Sequence, residues 1–282
     1  MSLRDLPAGP DFQRPAAYQF DTPSDALAKW ADLPSAATAS DNNTITMLDI
    51  IGDDGMGGGV GAKRIAAALR AIGNRDVTVQ INSPGGDMFE GIAIYNLLRA
   101  HPAEVSIEVL GIAASAASII AMAGDNIWMA PSSFLMLHNA WGVVIGNRHD
   151  MAEAATLFER FDGALADIYA ARSGKTRAEV ASLLDAETFL TAEEAVAAGM
   201  ADTIAGGADA STYASHAAAQ VRPDIHAKRR IDAALAQQGI PRSERRAMLK
   251  QISGTRNAAE PATHDAGFDP AALRQLLDTL QA

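Results

Sequence analysis

Val77-Thr78-Val79-Gln80-Ile81-Asn82-Ser83-Pro84-Gly85-Gly86 is the stretch whose reading decides the fold. Its first five residues are mostly β-branched, which suits a strand. Pro84 then fixes φ, and the two glycines leave the backbone N–H groups clear of any Cβ. A helical stretch from Gly91 to Ala100 follows. Upstream, Ile45 to Ile51 is a strand candidate, separated from Val77 by a helical run from Ala62 to Ile72. Downstream, Val105 to Leu110 is a third strand. Strands alternating with helices at this spacing predict βαβ units and a mostly parallel sheet in an α/β fold.

The pattern continues with a helix at Ala114 to Ala123 and strands at Asn126 to Met129 and Phe134 to Leu137. A long helix at Asp150 to Ser173 and a shorter one at Arg177 to Leu184 come next. Thr191-Ala192-Glu193-Glu194 opens another helix with a capping-box pattern, and Gly199 fits its C-terminal cap. The chain thus divides into four parts. Residues 1–43 form an N-terminal arm with one short helix expected at Pro23 to Trp30, capped by Thr22. Residues 44–204 carry the α/β pattern, residues 205–221 are a linker of small residues, and residues 222–282 are a helical tail. Helices are expected in the tail near Asp224 to Gln238, Pro241 to Ser253 and Pro270 to Leu280.

Composition narrows the chemistry. The 282 residues include no cysteine, which excludes disulfides, thiolate metal sites and a cysteine nucleophile. Lysine and arginine number 23 against 34 aspartates and glutamates, a formal charge of −11 that argues against a nucleic-acid partner. The tail is locally basic, with Arg222, Lys228, Arg229, Arg230, Arg242, Arg245, Arg246, Lys250 and Arg256, so it is the place to look for an acidic partner. The uncharged stretch Val109 to Gly124 is too short to span a bilayer and reads as a buried segment. Charges and prolines stand where a signal peptide would need an apolar run, so no membrane association and a cytoplasmic location are expected.

Five segments can carry chemistry. The glycine run Gly55-Met56-Gly57-Gly58-Gly59-Val60-Gly61 formally fits a dinucleotide fingerprint read as Gly57-x-Gly59-x-x-Ala62. No acid ends the second strand, however, and no Lys-Ser/Thr pair follows, so the run reads as a flexible turn. Ser83-Pro84-Gly85-Gly86 offers amides that can stabilise an oxyanion, although the same residues also make an ordinary turn. Gly111-Ile112-Ala113-Ala114-Ser115-Ala116-Ala117-Ser118 flanks a hydroxyl with small residues at a strand-to-helix junction, where another backbone can approach. Ser115 could equally be a cap, and Ser118, one turn further on, reads as a packing residue whose loss should not affect turnover. Of six histidines only His138, in Leu135-Met136-Leu137-His138-Asn139, is led in by a core strand. Asp185-Ala186-Glu187 supplies acids before the Thr191 helix. No paired histidines share a helical face and no His-Glu-x-x-His occurs, so no metal and no cofactor are expected.

Taken in order, these segments resemble the Clp protease proteolytic subunit family of serine peptidases, most of all the ClpP-like head-maturation proteases of phages and prophages. The resemblance runs from about Ile45 to Ile204. It rests on Val77 to Gly86, Gly91-Ile92-Ala93-Ile94-Tyr95, Gly111 to Ala116, Met136-Leu137-His138-Asn139, and Phe189 to Val196 followed by Gly199-Met200-Ala201-Asp202. It implies a ClpP/crotonase-like spiral of ββα units with a protruding handle helix and flexible N- and C-terminal extensions. It further implies a serine endopeptidase with Ser115 as nucleophile, His138 as base and Glu187, where Clp subunits carry aspartate, as third triad member. Asp185 is the alternative third member. The oxyanion hole would be the backbone N–H groups of Gly86 and Ala116. Protein or peptide substrates, a homo-oligomeric ring and phage prohead processing follow, with capsid or scaffold proteins as partners. Asn139-Ala140-Trp141 replaces the family's Gln-Pro after the histidine. The arm does not resemble the loops that meet an ATPase unfoldase, so that partnership stays open. A crotonase-type acyl-CoA enzyme, which needs no serine–histidine pair, and a catalytically silent capsid-assembly protein are the other readings.

Overall fold

The computed structural model describes residues 43–55, 58–205 and 223–254. The arm, its expected helix at Pro23 to Trp30, most of the linker and the helix expected at Pro270 to Leu280 lie outside the described residues. The elements run β1 (Thr44–Met47), α1 (Ala62–Ile72), β2 (Val77–Ser83), α2 (Met88–Arg99), β3 (Val105–Ala114), α3 (Ala116–Ala121), β4 (Asn126–Met129) and β5 (Phe134–Met136). They continue with α4 (Arg148–Ser173), α5 (Arg177–Asp185), β6 (Phe189–Thr191), α6 (Ala192–Ala197), β7 (Thr203–Ile204), α7 (Pro223–Gln237) and α8 (Arg242–Gly254).

The seven strands make one sheet, ordered β1-β2-β3-β4-β7. Every pair along this path is parallel, as the alternation of strands and helices predicts. β3 is the pivot. Its first half, Ser106 to Val109, pairs with β4, and its second half, Ile112 to Ala114, pairs with β5. It therefore runs four residues past the expected Leu110 end. β6 pairs antiparallel with β5 and had no local signal, being only three residues long beside a stronger helix cap. The capping box at Thr191 and the positive φ of Gly199 are as expected. Helix α2 starts three residues before Gly91, because the Asp87 side chain accepts hydrogen bonds from the Phe89 and Glu90 amides.

A single large core joins sheet and helices. Val79, Ile81, Ile107 and Ile127 are wholly buried, as are Ile94 and Tyr95 of α2 and Ile120 of α3. α4 enters this core chiefly through Phe161, Leu165, Ala166, Ile168 and Tyr169 of its C-terminal half, with Leu157 and Phe158 just before them partly buried against it. Phe161 meets Phe89 edge to face at 5.5 Å and Phe158 at 5.9 Å. The N-terminal half stands exposed, as expected of a handle. Buried Arg172 pairs with Asp202, which also accepts from the Ile127 amide, so α4, β4 and the approach to β7 are tied together. Among the described residues no helix is long and apolar enough to cross a membrane.

Two expectations change. The first strand stops at Met47 instead of Ile51, because the Asp49 side chain turns back to cap the Ile50 amide. The glycine run, where described, is a packed loop and not a loose turn. A Cβ on Gly55 would fall 1.4 Å from the Arg246 guanidinium, and one on Gly58 2.7 Å from that of Arg229. Tail guanidinium groups thus fill the space beside the loop, and glycine itself is required at Gly59, which has φ 88° and whose Cβ would fall 2.0 Å from the Gly52 carbonyl oxygen. Residues 223–254 accordingly dock on the body, with Ile50, Ile231 and Leu249 forming a small core of their own.

Candidate active site

β3 ends at Ala114, and Ser115 turns the chain into α3. Ser115 has φ 54° and ψ −124°. A residue with a Cβ adopts such a conformation at a cost of about 1–3 kcal/mol, and only where its surroundings over-determine it. Here the Ser115 amide donates to the Met136 carbonyl at 3.0 Å. The Ser115 carbonyl accepts from the Ser118 and Ile119 amides at 2.9 and 3.2 Å. The strained corner throws the side chain outward, and Ser115 Oγ lies 2.6 Å from His138 Nε2.

Ser118 does more than fill space. Its Oγ is 2.7 Å from the Ser115 carbonyl, 2.9 Å from the Met136 carbonyl and 2.8 Å from the Tyr169 hydroxyl. A serine has one proton to give, so when it bonds a carbonyl the Tyr169 hydroxyl must donate to Ser118. Burial raises the Tyr169 pKa and keeps the phenol neutral, hence able to donate. The hydroxyl pair thereby clamps the Ser115 corner to the strand that leads to the histidine. Spacing alone showed only a small residue one turn on.

His138 follows β5 and is half-buried. The Leu137 amide donates to the Thr188 carbonyl at 2.9 Å, which draws the segment around Glu187 alongside. Burial pushes the His138 pKa below its ordinary 6.5, while the charges of Glu187 and then Asp162 pull it back up. The imidazole is therefore neutral at neutral pH, the form that can accept a proton. Glu187 is exposed, sits at φ 47°, and acts on the imidazole through space. Asp185 is also exposed and is engaged elsewhere, accepting from Asn139 Nδ2 at 2.7 Å.

Asp162 was not singled out from the sequence. It is half-buried on α4, and its Oδ1 accepts from the Ala140 amide at 2.6 Å. Burial is the main cause raising its pKa, opposed first by the Ala140 amide; nearby Asp185 raises it further and His138 lowers it. A signal did exist. Asp162 is four residues from both Phe158 and Ala166, so it is a carboxylate within the apolar stripe of a helix.

The glycine turn closes the other side. A Cβ on Gly85, which has φ 90°, would fall 2.5 Å from the Ala114 carbonyl oxygen and 2.7 Å from Ser115 Cβ. Any side chain there would displace the Ser115 corner. Gly86 is equally constrained from behind, since its Cβ would lie 2.0 Å from the Ile51 carbonyl oxygen. The Ala116 amide belongs to the first turn of α3, where helical N–H groups have no partner within the helix. The structure thus brings Ser115, His138 and Glu187 together, with Ala116 next to Ser115 and Gly86 next to the Gly85 that packs on it, while Asp185 is bonded to Asn139.

Fold and site together define a class: α/β proteins that set a strained serine against an imidazole, the pairing used for nucleophilic acyl transfer. Comparison with known proteins narrows this. The Clp protease family model matches residues 60–208. The ATP-dependent Clp protease proteolytic subunit of Pleurastrum terricola is 33% identical over 148 residues, which span 50% of this chain and 76% of that protein. A point variant of ClpP1 from Listeria monocytogenes shares the fold with a TM-score of 0.52 at 21% identity. The match covers 60% of this chain and 94% of that one. The chain belongs to the Clp protease family.

Proposed function

We propose that the protein is a serine endopeptidase in which Ser115, His138 and Glu187 act as nucleophile, base and orienting carboxylate. The observation that carries this reading is the 2.6 Å contact between Ser115 Oγ and His138 Nε2, made by a serine held at φ 54°. Neutral His138 takes the Ser115 proton as Oγ attacks a peptide carbonyl, then returns it to the leaving amine. Negative charge on the tetrahedral oxygen is met by the backbone N–H groups of Gly86 and Ala116. The acyl group stays on Ser115 until water attacks it, with His138 again as base. Glu187 stabilises the imidazolium that forms at each step, and Asp162 adds to the same field. Among the described residues no cluster suits a metal ion, and the scheme uses none.

The peptidase unit in this reading is residues 44–204, flanked by the arm, the linker at 205–221 and the tail. A homo-oligomeric ring is supported by family membership and by the exposed apolar side chains Trp141, Val143, Ile145 and Met151 before and on the start of α4. Capsid or scaffold protein as substrate, cleaved during prohead maturation, is the finer reading suggested by the resemblance of the segments, taken together, to phage head-maturation proteases.

The test is peptide cleavage by the purified protein together with fluorophosphonate labelling. Covalent label on Ser115, lost in Ser115→Ala along with turnover, is the expected result. Full peptidase activity in Ser115→Ala would overturn the assignment. A crotonase-type enzyme would cleave no peptide and take no label at Ser115.

A further inference from the structure

Arg229 is the largest fully buried side chain of the described residues, at 1% exposure, although it comes from the basic tail. Its Nε donates to Asp54 Oδ2 at 2.9 Å, and its Nη2 donates to both Asp49 oxygens at 2.8 and 3.0 Å. Asp49 and Asp54 are buried as well. Both carboxylates also accept from amides of the loop. Asp49 accepts from the Ile50 and Gly59 amides, and Asp54 from the Gly58 amide.

Hydrogen bonds lead from this triad to the glycine turn. The Asp49 carbonyl accepts from Ser83 Oγ at 2.6 Å, and Ser83 Oγ accepts from the Gly85 amide at 3.2 Å. Two residues further on, the Ile51 amide donates to the Gly85 carbonyl at 2.8 Å, and the Ile51 carbonyl accepts from the Asp87 amide at 2.9 Å. The 49–51 segment therefore grips both ends of the turn that carries Gly86, and Arg229 holds that segment from behind.

We infer that Arg229 is a positioning residue: the docked tail helices α7 and α8 hold the 49–59 loop, and the loop sets the glycine turn that supplies an oxyanion-hole amide. This rests on the reading of Gly86 as an oxyanion donor and adds a control to it, namely dependence of turnover on the tail. The physical reason is shared bonding of buried charge. Removing Arg229 takes away the one guanidinium seen to bond both neighbouring buried carboxylates, which is unfavourable, so the loop relieves them by turning toward water. That motion pulls the Asp49 carbonyl from Ser83 and releases the Gly85 amide. A donor displaced from the tetrahedral oxygen affects the transition state and leaves ground-state binding largely alone.

The experiment compares full-length wild type with Arg229→Met and Arg229→Lys. It measures kcat and KM on one peptide, the affinity of a peptide aldehyde that forms the tetrahedral adduct, and the unfolding temperature. Loss of one well-aimed oxyanion donor lowers turnover by about 10²–10³-fold, and a donor misplaced but still present should lower it by about 10–100-fold. Arg229→Met should therefore lose kcat in that range with KM nearly unchanged, and aldehyde affinity should fall by a similar factor. Arg229→Lys keeps the charge but cannot span both carboxylates, and should fall between. A tail that only stabilises the fold would lower the unfolding temperature and leave kcat per folded molecule at wild type, which overturns the proposal. If Arg229→Met does not fold, Arg229→Lys decides alone: reduced kcat at unchanged KM supports the clamp, and wild-type kcat overturns it. Ser115→Ala run in parallel separates the readings, because activity in that variant defeats the site assignment and not the clamp.

Discussion

The two sides of the site are built in different ways. Ser115 and His138, the proposed nucleophile and base, follow β3 and β5, adjacent parallel strands, and their alignment rests on short-range bonds. The Ser115 amide meets the Met136 carbonyl, and Ser118 bridges the two carbonyls with Tyr169 behind it. The oxyanion side is assembled from afar. The turn at Gly85 and Gly86 leans on Ile51 and Ser83, and these lean on Asp49, which a residue 180 positions later holds in place. A parallel sheet can align two side chains by register alone. A glycine turn has no register and needs support from behind.

That contrast can be broken from either side. The largest effect should come from the nucleophile and base themselves. Ser115→Ala and His138→Ala should each lower kcat by about 10⁴-fold or more, and the double variant should be hardly worse than either, as measured by peptide hydrolysis. Losses that multiply instead of saturating would show that the two do not act as one unit.

The hydroxyl clamp comes next. Ser118→Ala removes the bond between the two strands and leaves the buried Tyr169 hydroxyl without Ser118 as a partner. A cost of about 1–3 kcal/mol follows, divided between stability and catalysis, so kcat should fall by about tenfold. Tyr169→Phe leaves Ser118 free to bond the carbonyls and should cost less. Equal kcat in Ser118→Ala and wild type would restore the view that Ser118 only fills space.

The smallest effects are in the pH profile. Burial lowers the His138 pKa, and a base works only when deprotonated, so activity should be lost as pH falls through a value below 6.5. Glu187→Gln and Asp162→Asn each remove a charge that raises the pKa, so both should move the acid limb further down. Glu187 should give the larger shift. Because Glu187 is exposed, its shift should shrink in high salt, whereas that of half-buried Asp162 should persist. A limb above 6.5, or a flat profile from pH 5 to 8, would contradict this electrostatic picture.

Local signals carried the sheet and the serine–histidine pair. β-branched runs, small residues around Ser115 and an apolar strand leading into His138 all act over a few residues, which is the range that pattern and propensity cover. β6 was missed for the same reason, since three residues beside a strong cap carry no period. Asp162 lay within an apolar stripe, but its meaning depends on which residue the stripe faces.

The amino-acid sequence by itself determined the parallel α/β arrangement, the serine in place of any thiol, and the order of the residues that meet. Tertiary structure alone decided that Ser115 is held at a positive φ, that Glu187 and Asp162 share the field at His138, and that a basic tail helix lodges Arg229 between Asp49 and Asp54. The physical reason is burial. A charge on a helix reads as solvent-facing until folding removes the water, and only then does its partner become obligatory.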